Sequence, residues 1–308
     1  MATTLADLIE DVRGLLHGHT GQDEQVTYLT ASLSSSGLSA TVNSTDGLRR
    51  GIVEIDSELV WVDSVDTVSK TLTIAPFGRG YRGTTAASHS SNAKVTVNPL
   101  LPDSRVRRAI NDTVNAVSGE LFGVDNGTIV FESHTVGYDL PSATFPDLLD
   151  ILSASWDAEN GTDAWIPVRR WRYNEQADTT MFPSGKSLEI YDPIRGGSSV
   201  NVVFTSNPTP FADAAASSAA FTSTTHLPES CRDVIVYGAA ARLAWGIEGG
   251  RTNQTGVSAN VLGDQYGTNW RGAANNFGKQ LYAFHQQRLQ EERDQLLRNT
   301  QPTIHYLR

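Results

Sequence analysis

Residues 51–65 read GIVEIDSELVWVDSV, and residues 103–121 read DSRVRRAINDTVNAVSGEL. In the first stretch Ile52, Glu54 and Asp56 alternate with Val53 and Ile55, the period of two that defines a strand, and Asp56-Ser57 supplies a turn before the alternation resumes. In the second, Val106, Ala109, Ile110, Val114, Val117 and Leu121 recur at intervals of three and four, which puts them on one face of a helix. Asp103 or Ser104 is the expected N-cap and Gly123 the expected stop. The opposite face carries Arg105, Arg107, Arg108, Asn111, Asp112 and Asn115. The change of period at Pro102 therefore marks the border between a β unit and a helical one.

Working toward the amino terminus, VTYLTASL, LSATVN, KTLTIAPF and AKVTVNP join the hairpin as further alternating runs separated by Ser/Gly/Asn clusters. Together they predict an antiparallel β-barrel or sandwich module over 26–100. Before it, Leu5, Leu8, Ile9, Val12, Leu15 and Leu16 make a helical stripe over 4–17, opened by Thr4 with Asp7 three residues later. Two helices thus bracket the β module, which reads as an insertion into a helical framework.

Toward the carboxyl terminus, TIVFESHTV, LLDILSASWD, AWIPVRRWRYN, KSLEIYD and SVNVVFTS predict a second β region, with turns at 125–127, 158–163, 183–185 and 195–198. Residues 206–226 form a polar low-complexity connector of the kind expected to be mobile or to belong to an interface. DVIVYGAAARLAWGIE then predicts a helix from Pro228 to Gly249-Gly250, with Gly238, Ala239, Ala240, Ala241 and Ala244 as a small-residue surface for close helix approach. Residues 251–275, rich in Asn and Gly, predict a long loop. The last helix runs to about 298, with Tyr282, Leu289 and Leu296 repeating every seven residues and Arg288–Glu292 and Asp294–Arg298 as i, i+4 pairs. The fold class is α+β: N-terminal, central and two C-terminal helices carrying an inserted antiparallel module and a second β region.

Composition excludes several functions. The 308 residues carry a net charge of −10, and arginine outnumbers lysine twenty to four. A duplex clamp needs a basic patch that displaces counterions, which an acidic chain with scattered arginines lacks; the arginine bias reads as codon usage of a GC-rich genome. The single cysteine, Cys231, allows neither a disulfide framework nor a cysteine-based zinc site. Acids near the amino terminus are not those of a secretory leader, and no run approaches the roughly 18 apolar residues of a membrane span. The expectation is a protein made in a cytoplasm, with no membrane partner.

Motifs for chemistry are few. Gly78-Arg79-Gly80-Tyr81-Arg82-Gly83 matches the GxGxxG spacing after a strand, but TTAASHSSNAKVTV lacks the helix whose N-terminus would receive a pyrophosphate, so the glycines are read as turn residues at positive φ. His17-x-His19 has no acidic or sulfur partner in a matching motif. Cys231 near a helix start is read as core. Carboxylates recur at Glu54, Asp56 and Glu58 and at Asp147 and Asp150; a glycosidase needs two beside a sugar cleft. Trp156, Trp165 and Trp171 stack either on sugars or in a core between sheets, and Arg169, Arg170 and Arg172 interleave with Trp171. No pattern calls for a cofactor or a metal.

The stretch GIVEIDSELVWVDSV…KTLTIAPFGRGYRGTTAASHSSNAKVTVNPLLPDSRVRRAINDTVNAV resembles neck proteins of tailed bacteriophages, through its E-L-V-W strand, GRGYRGTTAASH and the capped helix. DVIVYGAAARLAWGIE with LYAFHQQRLQEERDQLL is similar to the closing helices of phage head–tail adaptor proteins. Together they cover about half of the chain. The resemblance implies a structural virion protein and not an enzyme: a homo-oligomeric ring, commonly twelve-fold, between the portal protein and a downstream neck or tail protein, around genomic DNA that passes without specific binding. It divides the chain into an N-terminal framework helix (1–25), the inserted module (26–100), a central helix (101–123), the second β region and connector (124–226), the C-terminal helical pair (227–298) and a docking tail (299–308). Tyr282, Leu289 and Leu296 are then expected at inter-helix or portal contacts, and Ile304, Tyr306 and Leu307 as tail anchors. The rival expectations are a tail or baseplate protein that binds host glycan through the second β region, and a polysaccharide-degrading enzyme using Glu58 or Asp150.

Overall fold

A computed structural model describes residues 2–20, 24–158, 165–212, 216–258 and 267–299. The chain is mixed α+β with antiparallel sheets. Helix α1 (Leu5–Thr20) opens with the expected cap: Asp7 Oδ2 accepts from Thr4 N and Oγ1 at 2.8 and 2.7 Å. Six strands follow: β1 (Gln25–Tyr28), β2 (Ser39–Thr41), β3 (Gly51–Ile55), β4 (Glu58–Asp66), β5 (Thr71–Ile74) and β6 (Lys94–Val97). They form one sheet in the order β1-β6-β3-β4-β5-β2. The β3–β4 hairpin turns at Asp56-Ser57 as expected, with Ile55 opposite Glu58 and Asp56 at φ 51°. Leu29, Val42, Val53, Ile55, Val60, Val62, Leu72 and Val95 fill its core. No closed barrel is found among the described residues; the two edge strands meet at an isolated Leu29–Val42 bridge.

Helix α2 (Asp103–Val117) buries Val106, Ala109, Ile110, Val114 and Val117, the predicted stripe. Two details differ. The helix ends at Val117, short of Leu121, and Gly119 (φ 96°) takes the chain out of it. Its N-cap residue is Pro102, with no capping side chain of its own; the first amide is instead capped from the β module, where Glu54 Oε1 accepts from Asp103 N at 2.7 Å.

The second β region comprises β7 (Gly123–Val130), β8 (Gly137–Asp139), β9 (Leu148–Asp157), β10 (Trp165–Pro167), β11 (Trp171–Asn174), β12 (Ser187–Ile190) and β13 (Ser199–Ser206). They make a four-stranded sheet, β10-β9-β13-β7, and a three-stranded one, β11-β12-β8. Phe204, Val200, Val202, Leu188, Ile190 and Tyr138 from both sheets share one core. The turn expected at 125–127 is strand: β7 pairs with β13 continuously from Gly123 to Val130. Gly127 serves a close approach, since a Cβ there would sit 2.5 Å from Phe145 Cε1. The run AWIPVRRWRYN is split between the two sheets.

The connector is tied down within the chain. Asn111 of α2 holds the Phe211 backbone through both side-chain atoms, donating to its carbonyl (2.7 Å) and accepting from its amide (3.0 Å). Ala219 and Ser217 carbonyls accept from Leu5 and Ala6 amides, and Phe221 N donates to Thr3 O. Phe211 and Phe221, the latter opening the short α3 (Phe221–Thr225), are buried in the helical core. These two aromatic anchors and the hydrogen bonds around them hold the described parts of the polar run.

After a short 3-10 turn at Glu229–Cys231, α4 (Arg232–Ser258) and α5 (Gly267–Asn299) complete the framework. Helix α4 runs through Gly249-Gly250, and the backbone of 251–258 and 267–275 is helical where a loop was expected. Glycine at roughly 1 kcal/mol relative to alanine is too weak a penalty to stop a helix by itself. Helix α4 lies against α1, α2 and α5. Its small-residue surface is used as predicted: a Cβ on Gly238 would lie 2.5 Å from Thr113 Cγ2 of α2 and 2.9 Å from His285 Cε1 of α5. Gly238→Ala therefore prises three helices apart. It is expected to cost about 1–3 kcal/mol of stability, the usual range for overpacking, read as a lower urea midpoint with unchanged slope.

Candidate functional site

The strongest polar constellation lies where the β module meets the GxGxxG loop. Glu58 begins β4 on the parity of the core residues Val60 and Val62, so its carboxylate points inward and is buried. A buried carboxylate must be hydrogen-bonded, and the loop that follows β5 delivers the donors. Gly78 passes so close to β4 that a Cβ would lie 2.5 Å from Trp61 O, and Gly80 turns at φ 60° into a single 3-10 turn, Tyr81–Gly83. That path aims Arg79 inward. Glu58 Oε1 accepts from Arg79 Nε (2.8 Å) and Gly80 N (2.8 Å); Oε2 accepts from Arg79 Nη2 (2.9 Å), Ala87 N (3.0 Å) and His89 Nε2 (2.9 Å). Arg79 spends its remaining donors on the carbonyls of Ser34, Gly37 and Ala87. His89 Nδ1 donates to Asp56 Oδ2 at 2.8 Å.

Burial alone would raise the Glu58 carboxyl, but the bonds from His89, Arg79, Ala87 and Gly80 outweigh it and hold it well below the usual carboxylate range. Burial pulls His89 down, yet its bonds to Asp56 and Glu58 and their charges push it up to about 9. His89 is thus an imidazolium between two carboxylates. With every lone pair and donor engaged, Glu58 has no proton to give and His89 none to take near neutral pH. The central glycine amide of the GxGxxG stretch, Gly80 N, is taken by Glu58, Gly78 N by Ala75 O, and no α-helix opens at the loop.

A second buried acid, Glu54, sits on β3 at the border with the helices. Burial, then the like charge of Asp103, push it up to about 8, against the Asp103 amide bond and the Arg13 charge. Arg13 of α1 is the hub: its Nη2 lies 3.3 Å from Glu54 Oε2 and 2.7 Å from Asp103 Oδ1, and donates to Leu101 O at 2.8 Å. Ser57 Oγ donates to Asp103 Oδ2 at 2.8 Å. One guanidinium facing two acids leaves one of them neutral, and burial selects Glu54.

The predicted partner-binding residues fall into three groups. Leu289 and Leu296 are buried in their own helical core, so they serve contacts within the chain. The inward stripe of α5 is Leu281, His285, Leu289, Glu292 and Leu296, so the seven-residue reading began one position late: Tyr282 is 46% exposed. It stacks on Trp245 of α4 at 5.7 Å between centroids, and Phe284 on Tyr237 at 5.9 Å. Trp245, Tyr282, Phe284 and Leu297 are large apolar side chains left exposed on α4 and α5. Ile304, Tyr306 and Leu307 lie outside the described residues. Of the predicted i, i+4 pairs, Arg288–Glu292 is formed at 3.0 Å.

Other candidates are accounted for locally. Cys231 is buried, and burial followed by the Glu292 charge pushes its thiol up to about 12. Among the described residues no group of three His, Cys, Asp or Glu side chains could hold a metal. Glu58 and Asp150 belong to separate sheets with separate cores; Asp150 Oδ1 accepts from Ile151 N and Asp147 O from Asn207 N. Trp156 and Trp171 pack against the second core, whereas Trp165 is exposed on edge strand β10. Arg170 pairs with Asp192 at 3.0 Å. A serine, an aspartate and a histidine that sequence reasoning missed do converge, but in the wrong order for a nucleophile: buried Ser206 Oγ and His226 Nδ1 both bind Asp125 Oδ2 at 2.8 Å. The Glu58–Arg79–His89 clasp was also missed. Its readable signal was an acid on the inward parity of a strand, which demands a cation from elsewhere.

No helix among the described residues is long and apolar enough to cross a membrane. No family model matches the sequence, and comparison with curated proteins finds no significant match.

The two glutamates make opposite predictions. Glu58→Gln removes a charge that Arg79 and His89 require and is expected to cost about 3–5 kcal/mol, as for other broken buried pairs; Glu54→Gln mimics the neutral form already present and is expected to be nearly silent at pH 7. Chemical denaturation of both variants checks this. Because the folded pKa of His89 lies above its ordinary 6.5, its contribution is complete below 6.5 and lost as pH rises through about 9. Glu54, raised from 4.5 to about 8, loses its contribution over that lower window. Melting temperatures of Glu54→Gln, scanned in pH, should keep the fall near 9, and those of the double variant with His89→Gln should lack it.

Proposed function

We propose that this chain is a structural subunit of a tailed-phage neck, an adaptor ring between portal and tail that extends the DNA channel. The observation that carries the reading is the outer face of α4 and α5. Trp245, Tyr282, Phe284 and Leu297 are exposed on helices whose inward stripe is already satisfied. Exposed aromatic side chains that meet one another, as Trp245 and Tyr282 do, are surface available for protein–protein contact. In this reading Tyr282 faces the portal or a neighbouring subunit, Leu289 and Leu296 hold the helix that presents it, and Ile304, Tyr306 and Leu307 anchor the tail to the portal. The β module, read as a barrel completed across Leu29–Val42, projects outward or toward the downstream neck or tail protein. The saturated clasps are structural joints, in keeping with assembly and not chemistry. A net charge of −10 suits a virion ring through which DNA slides without adhering. One observation favours the second reading, a tail or baseplate protein that binds host glycan: Trp165 and Tyr191 are exposed on the second β region.

Mass measurement with negative-stain imaging separates these. A ring, commonly twelve-fold in the proteins this chain resembles, with a central channel is expected; a trimeric rod with glycan-array binding would overturn the adaptor reading. Deleting residues 299–308 should yield heads without tails, and normal virions from that deletion would reject the anchoring role.

A further inference from the structure

Strand β7 (Gly123–Val130) is an edge of the four-stranded sheet β10-β9-β13-β7. It pairs with β13 through all eight of its residues without a bulge. Phe131, next along that ladder, donates its amide to Ser198 O. Residues of an antiparallel ladder alternate in the side to which they bond, so the amides and carbonyls of Val124, Asn126, Thr128 and Val130 turn away from β13. Among the described residues no other segment bonds to them. The same residues are exposed, Val124 by 44% and Val130 by 60%.

Proteins blunt a free edge by keeping it short or by placing lysine, proline or a bulge on it. The other edges of the second β region follow that rule: β10 has three residues and ends in Pro167, β8 has three, and β11 has four with Arg172 exposed. The edges of the first module, β1 and β2, meet at the Leu29–Val42 bridge. Strand β7 has none of these protections. Its only charge, Asp125, is tied back by Ser206 Oγ and His226 Nδ1, each at 2.8 Å.

The strand is also complementary to itself. Laid antiparallel against a copy with Gly127 opposite Gly127, Val124 meets Val130 and Asn126 meets Thr128, each pair twice by symmetry. Every outward amide and carbonyl finds a partner in that register. Gly127, on the axis, brings no side chain to it. Asp125 comes opposite Ile129 and not its own copy, so no like charges face each other.

We propose that β7 adds to β7 of a second copy about a twofold axis at Gly127, making their two sheets one continuous sheet. Main-chain hydrogen bonds supply the affinity of such strand addition, and the facing side chains set its register. The contact is isologous and closes at two copies. It describes a pair of subunits in solution, separate from the head-to-tail contacts of a ring, and does not rest on the ring reading.

Sedimentation velocity of the full chain, from about 1 to about 100 µM, reads the pairing over the range of modest affinities. Wild type is expected to pass from monomer to dimer. Thr128→Pro removes an outward amide and leaves the β13 ladder intact, and edge strands tolerate proline. It should need at least about tenfold more protein to dimerise, with melting unchanged. Val124→Lys and Val130→Glu should each weaken dimerisation alone. Mixed in equal amounts they should pair with each other, because the introduced lysine of one then faces the introduced glutamate of the other. If the proline variant melts lower than wild type, this charged pair alone decides. Wild type that stays monomeric throughout overturns the proposal. So does a dimer that all three variants leave unchanged, and charged variants that fail to complement on mixing overturn the register. Rings lost in Thr128→Pro, in place of dimers, would give β7 to a head-to-tail contact and overturn the twofold pairing. Rings that form unimpaired in the variants leave the ring reading standing.

Discussion

A carboxylate taken out of water must be met by donors, and the β3–β4 hairpin buries two of them. Much of the tertiary arrangement follows from how Glu54 and Glu58 are satisfied. Glu58 draws in Arg79, two backbone amides and His89, which folds the GRGYRG loop onto β4 and fixes its course as far as residue 89. Glu54 caps α2 and shares Arg13 with Asp103, which sets the β module on the end of the helical framework. The first acid is kept charged by an excess of donors. The second is kept neutral by burial and then by a neighbour of like charge. Two residues of the same type, four apart, thus do opposite electrostatic work because their surroundings differ.

The framework is organised around α4. Alanines and a glycine on one helix let α1, α2 and α5 come close enough to share a single core, and the connector closes it with Phe211 and Phe221. The outer side of α4 and α5 keeps its aromatic residues in solvent.

Much of this was readable from periodicity. The hairpin at Asp56-Ser57, the stripe on α2, the Thr4–Asp7 cap and the close approach at Gly238 follow from local pattern because each depends on neighbours in sequence. What was not readable depended on distant partners. Gly127 resembles a turn residue until Phe145 is placed above it. The Gly249-Gly250 stop is a weak local preference that the helix overrides. Tyr282 and Leu281 are equally apolar in sequence, and helix packing alone decides which turns inward. His89 and Arg79 carried no local signal of partnership with Glu58, being 31 and 21 residues away.

The ties between the amino terminus and the connector impose an order on how the molecule comes into being. Both β units are built from contacts within their own stretches of chain. Helix α1 reaches Glu54, Leu101 and Asp103 through Arg13, but it is also held by Ala219 and Ser217 through Leu5 and Ala6, and by Arg232 through Asp11. The second set of residues leaves the ribosome some two hundred positions later, so these ties of α1 are made only after those residues have been synthesised. Helices α4 and α5 therefore complete the helical core only when the last third of the chain has been made.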